Sequence, residues 1–276
     1  MTLVSLAGRL TVGAGQPLLV IAGPCVLEDE ALARDIALTL RDLTAQRGVS
    51  FIFKASWDKA NRTSAQAYRG PGLKKGLAIL ARLKADLDLP VTSDVHEPAQ
   101  VPAAADVLDV IQIPAFLCRQ TDLLLAAAAS GRVVNVKKGQ FLAPWDMRHV
   151  VAKLAAGRCD RIFLTERGSS FGYNNLVVDM RGLAIMADLG WPVIFDATHA
   201  VQLPGAGDGC SAGERRHVAA LSRAAVAAGV DGVFFEVHPD PDRARCDGPN
   251  SLPLAEVGPL LDRLLAIRRA VQEELR

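Results

Sequence analysis

Short apolar runs alternate with longer amphipathic stretches along almost the whole chain. After two brief strand-like segments at 3–6 and 9–12, the run 18–22 is apolar at every position and is bracketed by Pro17 and by Gly23-Pro24. Apolar residues at consecutive positions, rather than at every second one, mark a strand buried on both faces. Similar runs recur at 51–54, 90–93, 110–113, 133–136, 161–164, 193–195 and 232–236, which makes eight. Between them, stretches such as 29–47, 73–87, 122–129, 176–189 and 214–228 carry apolar residues at helical spacing, and 254–275 closes the chain in the same way.

Strands buried on both faces and separated by helices pair in parallel through right-handed crossovers. Eight such units in this length predict an α/β fold, a TIM (β/α)8 barrel preceded by a short N-terminal β-hairpin within residues 1–16. The competing arrangement is a doubly wound open sheet. It lacks support from a dinucleotide-type loop, because Gly13 to Gly15 is too short for that fingerprint and does not lead from a strand into a helix. No internal repeat, low-complexity linker or composition shift divides the chain, so a single domain over 1–276 is expected. Long segments rich in Gly, Pro, Asn and charge follow strands two (55–72), six (165–175), seven (197–213) and eight (237–253). All lie on the C-terminal side of their strands, where barrel enzymes carry their chemistry.

Composition narrows the function classes. The formal charge is +1, with 31 basic residues interspersed among 30 acidic ones, which argues against a nucleic-acid partner. The N-terminus lacks an export signal, and no run approaches the roughly 18 apolar residues of a membrane span. Five cysteines, Cys25, Cys118, Cys159, Cys210 and Cys246, are an odd number at irregular spacing. That pattern suits reduced thiols and a cytoplasmic location.

Four potential metal ligands, Cys25, His199, Glu236 and Asp247, fall at or just beyond the ends of strands one, seven and eight. In a closed ring those strands are neighbours, so the four converge on one sector of the barrel mouth. Mixed sulfur, nitrogen and oxygen ligation suits a divalent Zn, Fe(II) or Mn ion without choosing among them. Taken singly, each has a plainer role: a cysteine after a buried strand is more often packing than ligand, and an acidic loop residue is usually solvated.

Across the ring the strand ends are basic: Lys54 and Lys59 after strand two, Lys137 and Lys138 after strand five, Arg167 after strand six. Asn61, Arg62 and Thr63 lie in the loop after strand two, and Arg119 follows strand four. Cations gathered there suit phosphate or carboxylate groups on a substrate. His96, beside Asp94, is either a proton carrier or a satisfied loop residue, and His238 is placed to support Glu236. His149 and His217 fall in helical stretches.

Several longer motifs carry a family resemblance. They are Ala22-Gly23-Pro24-Cys25, the segment 53–64 containing Lys59-Ala60-Asn61-Arg62-Thr63, Ile113-Pro114-Ala115-Phe116-Leu117-Cys118-Arg119-Gln120, and Asn135-Val136-Lys137-Lys138-Gly139-Gln140. Thr165-Glu166-Arg167-Gly168, Phe195-Asp196-Ala197-Thr198-His199 and Cys246-Asp247-Gly248-Pro249-Asn250 continue the match to the end of the chain. The chain resembles the 3-deoxy-D-manno-octulosonate-8-phosphate synthases. The resemblance implies condensation of phosphoenolpyruvate with D-arabinose 5-phosphate and water, for the lipopolysaccharide core, by a homotetramer. It implies that Lys59, Lys138 and Arg167 hold phosphoenolpyruvate with Lys54 nearby, and that Asn61, Arg62, Thr63, Gln112, Pro114, Phe116 and Arg119 line the sugar-phosphate site. Cys25, where metal-independent members carry Asn, implies the metal-dependent class, with His199, Glu236 and Asp247 completing the shell and Cys25, His199, Asp247 and Lys59 as the catalytic set.

Three alternatives remain at this point. The related 3-deoxy-D-arabino-heptulosonate-7-phosphate synthases share the Gly-Pro-Cys site but take erythrose 4-phosphate, and Ala60-Asn61 departs from their usual Lys-Pro-Arg. A Schiff-base aldolase using Lys54 or Lys137 follows from the residues alone. A non-catalytic sensor of phosphorylated metabolites on the same fold is the third.

Overall fold

Eight parallel strands close into a ring in the computed structural model, which describes residues 2–6, 8–207 and 211–274. They are β1 (Leu19–Gly23), β2 (Ser50–Lys54), β3 (Val91–Asp94), β4 (Val110–Ile113), β5 (Val133–Lys137), β6 (Ile162–Glu166), β7 (Val193–Asp196) and β8 (Gly232–His238). Each pairs in parallel with the next. The last step, Glu236 of β8 opposite Gly23 of β1, leaves no open edge. That pairing establishes the TIM barrel and excludes the doubly wound sheet. The hairpin joins Val4–Leu6 to Leu10–Val12 in antiparallel register.

Eight helices cover the outside: α1 (Glu30–Ala45), α2 (Leu73–Leu87), α3 (Val101–Val107), α4 (Thr121–Ala129), α5 (Met147–Ala156), α6 (Arg181–Ala187), α7 (Val218–Ala227) and α8 (Leu254–Glu274). α1 begins where the Asp29 carboxylate accepts the Leu32 N–H at 2.9 Å, an N-cap that satisfies a donor with no partner inside the helix. α3 and α5 complete the two crossovers whose helices are not among the stretches given above, and α5 carries His149, as expected.

Two expected helices start later than expected. The stretch 176–189 is helical only from Arg181, because Leu176–Val177 pairs with Ser169–Ser170 and the Asp179 carboxylate accepts the Arg181 N–H at 3.0 Å, starting the helix there. In 214–228, Arg215–His217 forms a single 3-10 turn, so His217 precedes α7 rather than lying in it. α8 is described to Glu274; residue 275, like Cys210, lies outside the described residues.

The barrel interior has two halves. Toward the strand N-termini, Leu19, Ile21, Ile52, Val110, Val133, Phe163, Ile194 and Phe234 pack against Val4, Leu6 and Val12 of the hairpin, which closes that end. Two or four residues further along the same strands stand Lys54, Gln112, Asn135, Lys137, Thr165, Asp196 and Glu236, all buried. Because side chains alternate across a strand, these share the inward face with the apolar plug. The intervening residues, such as Phe53, Ile111, Val134, Leu164 and Phe235, face the helices and form the larger outer core.

Candidate active site

The inward polar layer carries its charge into a cavity of about 440 Å³ at the C-terminal mouth. Glu236 of β8 stands at its floor, fully buried. Its Oε1 accepts from Lys54 Nζ at 2.7 Å and lies 3.4 Å from Lys59 Nζ. Lys54 Nζ also donates to the Cys25 carbonyl at 2.9 Å, which ties β2 to the turn after β1. Gly23 permits that approach, since a Cβ there would sit 1.9 Å from the Lys54 carbonyl oxygen. Burial pushes the Glu236 carboxyl up, but Lys54 and Lys59 outweigh it and hold the group well below the usual carboxylate range.

His199 follows β7 in a 3-10 turn, where its backbone N–H donates to Asp196 Oδ1 at 3.0 Å. Its ring Nδ1 lies 2.8 Å from Asp196 Oδ2, and Nε2 faces Glu236 Oε2 and Asp247 Oδ2, each at 3.7 Å. Cys25 Sγ lies 3.6 Å from Asp247 Oδ2 and 2.8 Å from Cys246 Sγ. Burial, then Cys246 and Glu236, pushes the Cys25 thiol up, with Lys59 opposing.

The four expected ligands, joined by Cys246, therefore form two triads that share Asp247: His199, Glu236 and Asp247 in one, Cys25, Cys246 and Asp247 in the other. Residues of this kind fit a divalent ion. Glu236 Oε2 is buried without a hydrogen-bond partner among the described residues, a costly state unless something positive completes it. The 3.7 Å spacings from His199 Nε2 are too long for hydrogen bonds, yet close to the roughly 3.4 Å edge expected between two ligand atoms that each bond one ion at about 2.1 Å.

Beside the triads, Lys54, Lys59, Lys137 and Arg167 line the cavity. Lys137 Nζ is 2.5 Å from Asp196 Oδ2 and 3.6 Å from the centroid of the Phe234 ring. Arg167 donates to Gln202 Oε1 at 2.8 Å. Both cations are pulled down by burial despite nearby carboxylates. Desolvated cations in reach of one cavity form a strong anion site.

Asn61, Arg62 and Thr63 line the same cavity, as do Gln112, Pro114 and Phe116. Two of the expected substrate-binding residues do not. Lys138, the residue just after β5, is fully buried on the side opposite to Lys137, with Nζ donating to the Leu142 carbonyl at 3.2 Å and Ser169 Oγ at 3.1 Å and standing 3.4 Å from Glu166. Strand alternation decides this: of two adjacent lysines, only Lys137 points into the barrel. Arg119 is exposed beyond the lining residues, its carbonyl accepting from Lys153 Nζ. His96 lines the cavity with a buried Nδ1 that has no partner, and His238 Nε2 lies 3.7 Å from Glu28.

Sequence reasoning passed over Cys246 and Gln202 as site residues. Cys246 adjoins Asp247, and that adjacency was the available signal. Gln202 lies in an irregular segment where no periodicity points inward.

A family model described as the DAHP synthetase I family matches residues 1–272. The chain is 60% identical over 264 residues to "2-dehydro-3-deoxyphosphooctonate aldolase" of Desulfotalea psychrophila, covering 96% of this chain and 94% of that protein. Proteins of the same name from Desulfatibacillum aliphaticivorans (61% over 266 residues, 96% and 97% covered) and Syntrophotalea carbinolica (63% over 263 residues, 95% of each) are similarly close.

Proposed function

The chain belongs to the DAHP synthetase I family, and on that premise we propose that it condenses phosphoenolpyruvate with D-arabinose 5-phosphate and water. The products are 3-deoxy-D-manno-octulosonate 8-phosphate and inorganic phosphate. The name shared by the relatives favours this reading over the heptulosonate synthase, whose name the family model carries. The observation that carries it is one cavity in which Lys54, Lys59, Lys137 and Arg167 stand next to the ligand triads sharing Asp247.

Lys59, Lys137 and Arg167 bind the phosphate and carboxylate of phosphoenolpyruvate, with Lys54 adding charge from below. Lys137 takes the part expected of Lys138. Asn61, Arg62 and Thr63, facing Gln112, Pro114 and Phe116 across the cavity, hold the sugar phosphate with its aldehyde toward the triads. A divalent ion held by Cys25, His199, Glu236 and Asp247 supplies Lewis-acid polarisation of water or of the aldehyde oxygen when bound. With both substrates so oriented, C3 of phosphoenolpyruvate forms a bond to the aldehyde carbon while water oxygen adds to C2. The aldehyde oxygen takes up one proton of that water. The resulting hemiketal phosphate breaks the C2–O bond to its phosphate and passes the C2 hydroxyl proton to the departing phosphate, leaving the ketone. Cation clamps matter here because they pre-orient two anionic substrates that repel each other in water.

The reading includes a cytoplasmic, single-domain subunit acting in a homotetramer for lipopolysaccharide synthesis. No helix among the described residues is long and apolar enough to cross a membrane. The exposed aromatics Phe116, Phe141, Trp145, Phe171 and Tyr173 all sit on loops after β4, β5 and β6, which supports burial of that side of the mouth against another subunit. In that assembly the exposed Arg119 serves a neighbouring site.

Phosphate release from phosphoenolpyruvate with arabinose 5-phosphate or erythrose 4-phosphate tests the substrate. Preference for the four-carbon sugar overturns the assignment. Chelation removes activity and a divalent metal restores it; full activity after exhaustive chelation contradicts metal dependence. Isotopic oxygen from water enters the ketose and not the released phosphate.

A further inference from the structure

We infer, on the reading of Arg167 as a phosphoenolpyruvate ligand, that Lys138 and Glu166 form an ion pair behind the cavity wall and are positioning residues that aim the Arg167 guanidinium. β5 and β6 pair with Lys137 opposite Thr165, and one step further the Lys138 N–H donates to the Thr165 carbonyl at 2.8 Å. Alternation turns Lys137, Thr165 and Arg167 inward, so Lys138 and Glu166 stand behind them on the outer side. Each member of the pair is therefore the chain neighbour of a cation that lines the cavity. Both are buried, at 1% and 3% exposure, and Lys138 Nζ lies 3.4 Å from Glu166 Oε1.

The pair holds the backbone on which Arg167 sits. Glu166 Oε1 accepts the N–H groups of Arg167 at 2.9 Å and Gly168 at 2.6 Å, which fixes the chain where it leaves β6. Gly168 turns there with φ +93°, a conformation that glycine adopts without strain. Lys138 Nζ donates to the Leu142 carbonyl and Ser169 Oγ, and lies 3.4 and 3.5 Å from the carbonyls of Gly139 and Gly168. One ammonium thus joins the loops after β5 and β6, and beside it the Ser170 N–H donates to the Gln140 carbonyl at 2.9 Å. Gln140 and Arg167 both face the cavity from these joined loops. With its backbone fixed, Arg167 needs little more than the Gln202 contact at 2.8 Å to hold its guanidinium in place. Stability alone would be served as well by an apolar pair of similar volume, because desolvation offsets much of the attraction between buried charges. What such a pair could not do is bind the carboxylate-held turn and the facing carbonyls at once.

Steady-state kinetics and calorimetric binding of phosphoenolpyruvate to the full-length protein supplied with a divalent metal provide the test. Lys138→Met and Glu166→Gln each raise KM and Kd for phosphoenolpyruvate by about 10- to 100-fold, the scale of a misplaced binding group, while KM for arabinose 5-phosphate stays within about twofold. The double variant binds no worse than the weaker of the two, because the pair acts as a unit. Lys84→Met is the control: it breaks the Lys84–Asp109 pair at 2.8 Å, outside the cavity lining, and lowers the melting temperature with both KM values unchanged. Unchanged phosphoenolpyruvate affinity in folded Lys138→Met and Glu166→Gln overturns the inference. An equal rise in both KM values, or a rise in Lys84→Met, also overturns it, since either marks general loosening of the barrel. Should Lys138→Met fail to fold, Glu166→Gln decides alone, because it keeps an acceptor for the two N–H groups. Unchanged affinity in Arg167→Ala, or no binding by the unmodified protein, sinks the underlying reading and the inference with it.

Discussion

The two halves of the barrel interior are built on the same eight strands and solve opposite problems. Toward the strand N-termini, Leu19, Ile52, Val110, Val133, Phe163 and Ile194 meet the hairpin residues Val4, Leu6 and Val12 in an apolar plug. One step along, Lys54, Asp94, Gln112, Asn135, Lys137, Asp196 and Glu236 occupy equally buried positions with charges and amides. The plug gains stability from removing apolar surface from water. The polar layer gains little net stability from its ion pairs, because desolvation offsets much of their attraction. It persists because its members satisfy one another: Gln112 Oε1 accepts from Asn135 at 3.1 Å, Thr165 donates to Asn135 Oδ1 at 2.6 Å, and Ser56 donates to Asp94 at 2.6 Å. Stability and chemistry are thus separated along the barrel axis.

The largest expected effect breaks the polar layer at its centre. Glu236→Ala removes the partner of Lys54 and Lys59 and a proposed ligand of the ion, and lowers turnover by about 10²- to 10³-fold or more, the scale of several kcal/mol of transition-state stabilisation. It also costs about 3–5 kcal/mol in a denaturant melt, since two ammonium groups are left near an empty position. Glu236→Gln, which keeps an acceptor for Lys54, recovers most of the stability but not the turnover.

In the plug, Phe163→Ala costs a similar ~3–5 kcal/mol of stability. Turnover of the folded fraction stays within about twofold, since no plug residue lines the cavity; each tenfold loss would require about 1.4 kcal/mol at the transition state. A folded Phe163→Ala protein with strongly reduced turnover would show that the two halves are coupled.

Leu6→Ala tests the hairpin as part of the plug and costs about 2–4 kcal/mol, with KM for both substrates unchanged. Raised KM in this variant would place the hairpin in the substrate site instead.

The smallest effect is a slope. Burial pushes the Asp94 carboxyl up, but Lys54 and Lys59 outweigh it and hold the group far below its ordinary value. A depressed carboxylate contributes stability that is fully present above its unfolded value, about 3.9, and is lost as pH falls toward the folded one. Urea melts between about pH 4 and pH 2 should show a slope steeper in the parent than in Asp94→Asn by up to about 1.4 kcal/mol per pH unit. Equal slopes would mean that Asp94 is not held by those lysines.

The apolar runs and their spacing carried the barrel because burial on both faces leaves a mark at every position of a strand. The hairpin was legible for the same reason. The boundaries at 176–181 and 214–218 were not, since Asp179 and the Leu176–Val177 pairing act across loops and leave no periodic signal. Among candidate site residues, Cys25, His199, Glu236 and Asp247 could be named because each ends or follows a strand of neighbouring rank in a closed ring. Lys137 and Lys138 could not be told apart, since adjacent residues of like charge at the end of β5 differ only in which side they face.

Composition and pattern alone determined an eight-fold α/β ring, a cluster of cations suited to anionic groups and a set of candidate ligands, because those depend on which residue types recur and where strands end. Only the tertiary structure decided that the candidate ligands, with Cys246, divide into two triads hinged on Asp247, that Lys137 rather than Lys138 enters the cavity, and that Cys246 touches Cys25. Each of those outcomes depends on strand facing or on a left-handed turn, and a single rotation of the backbone reverses them without changing one letter of the chain.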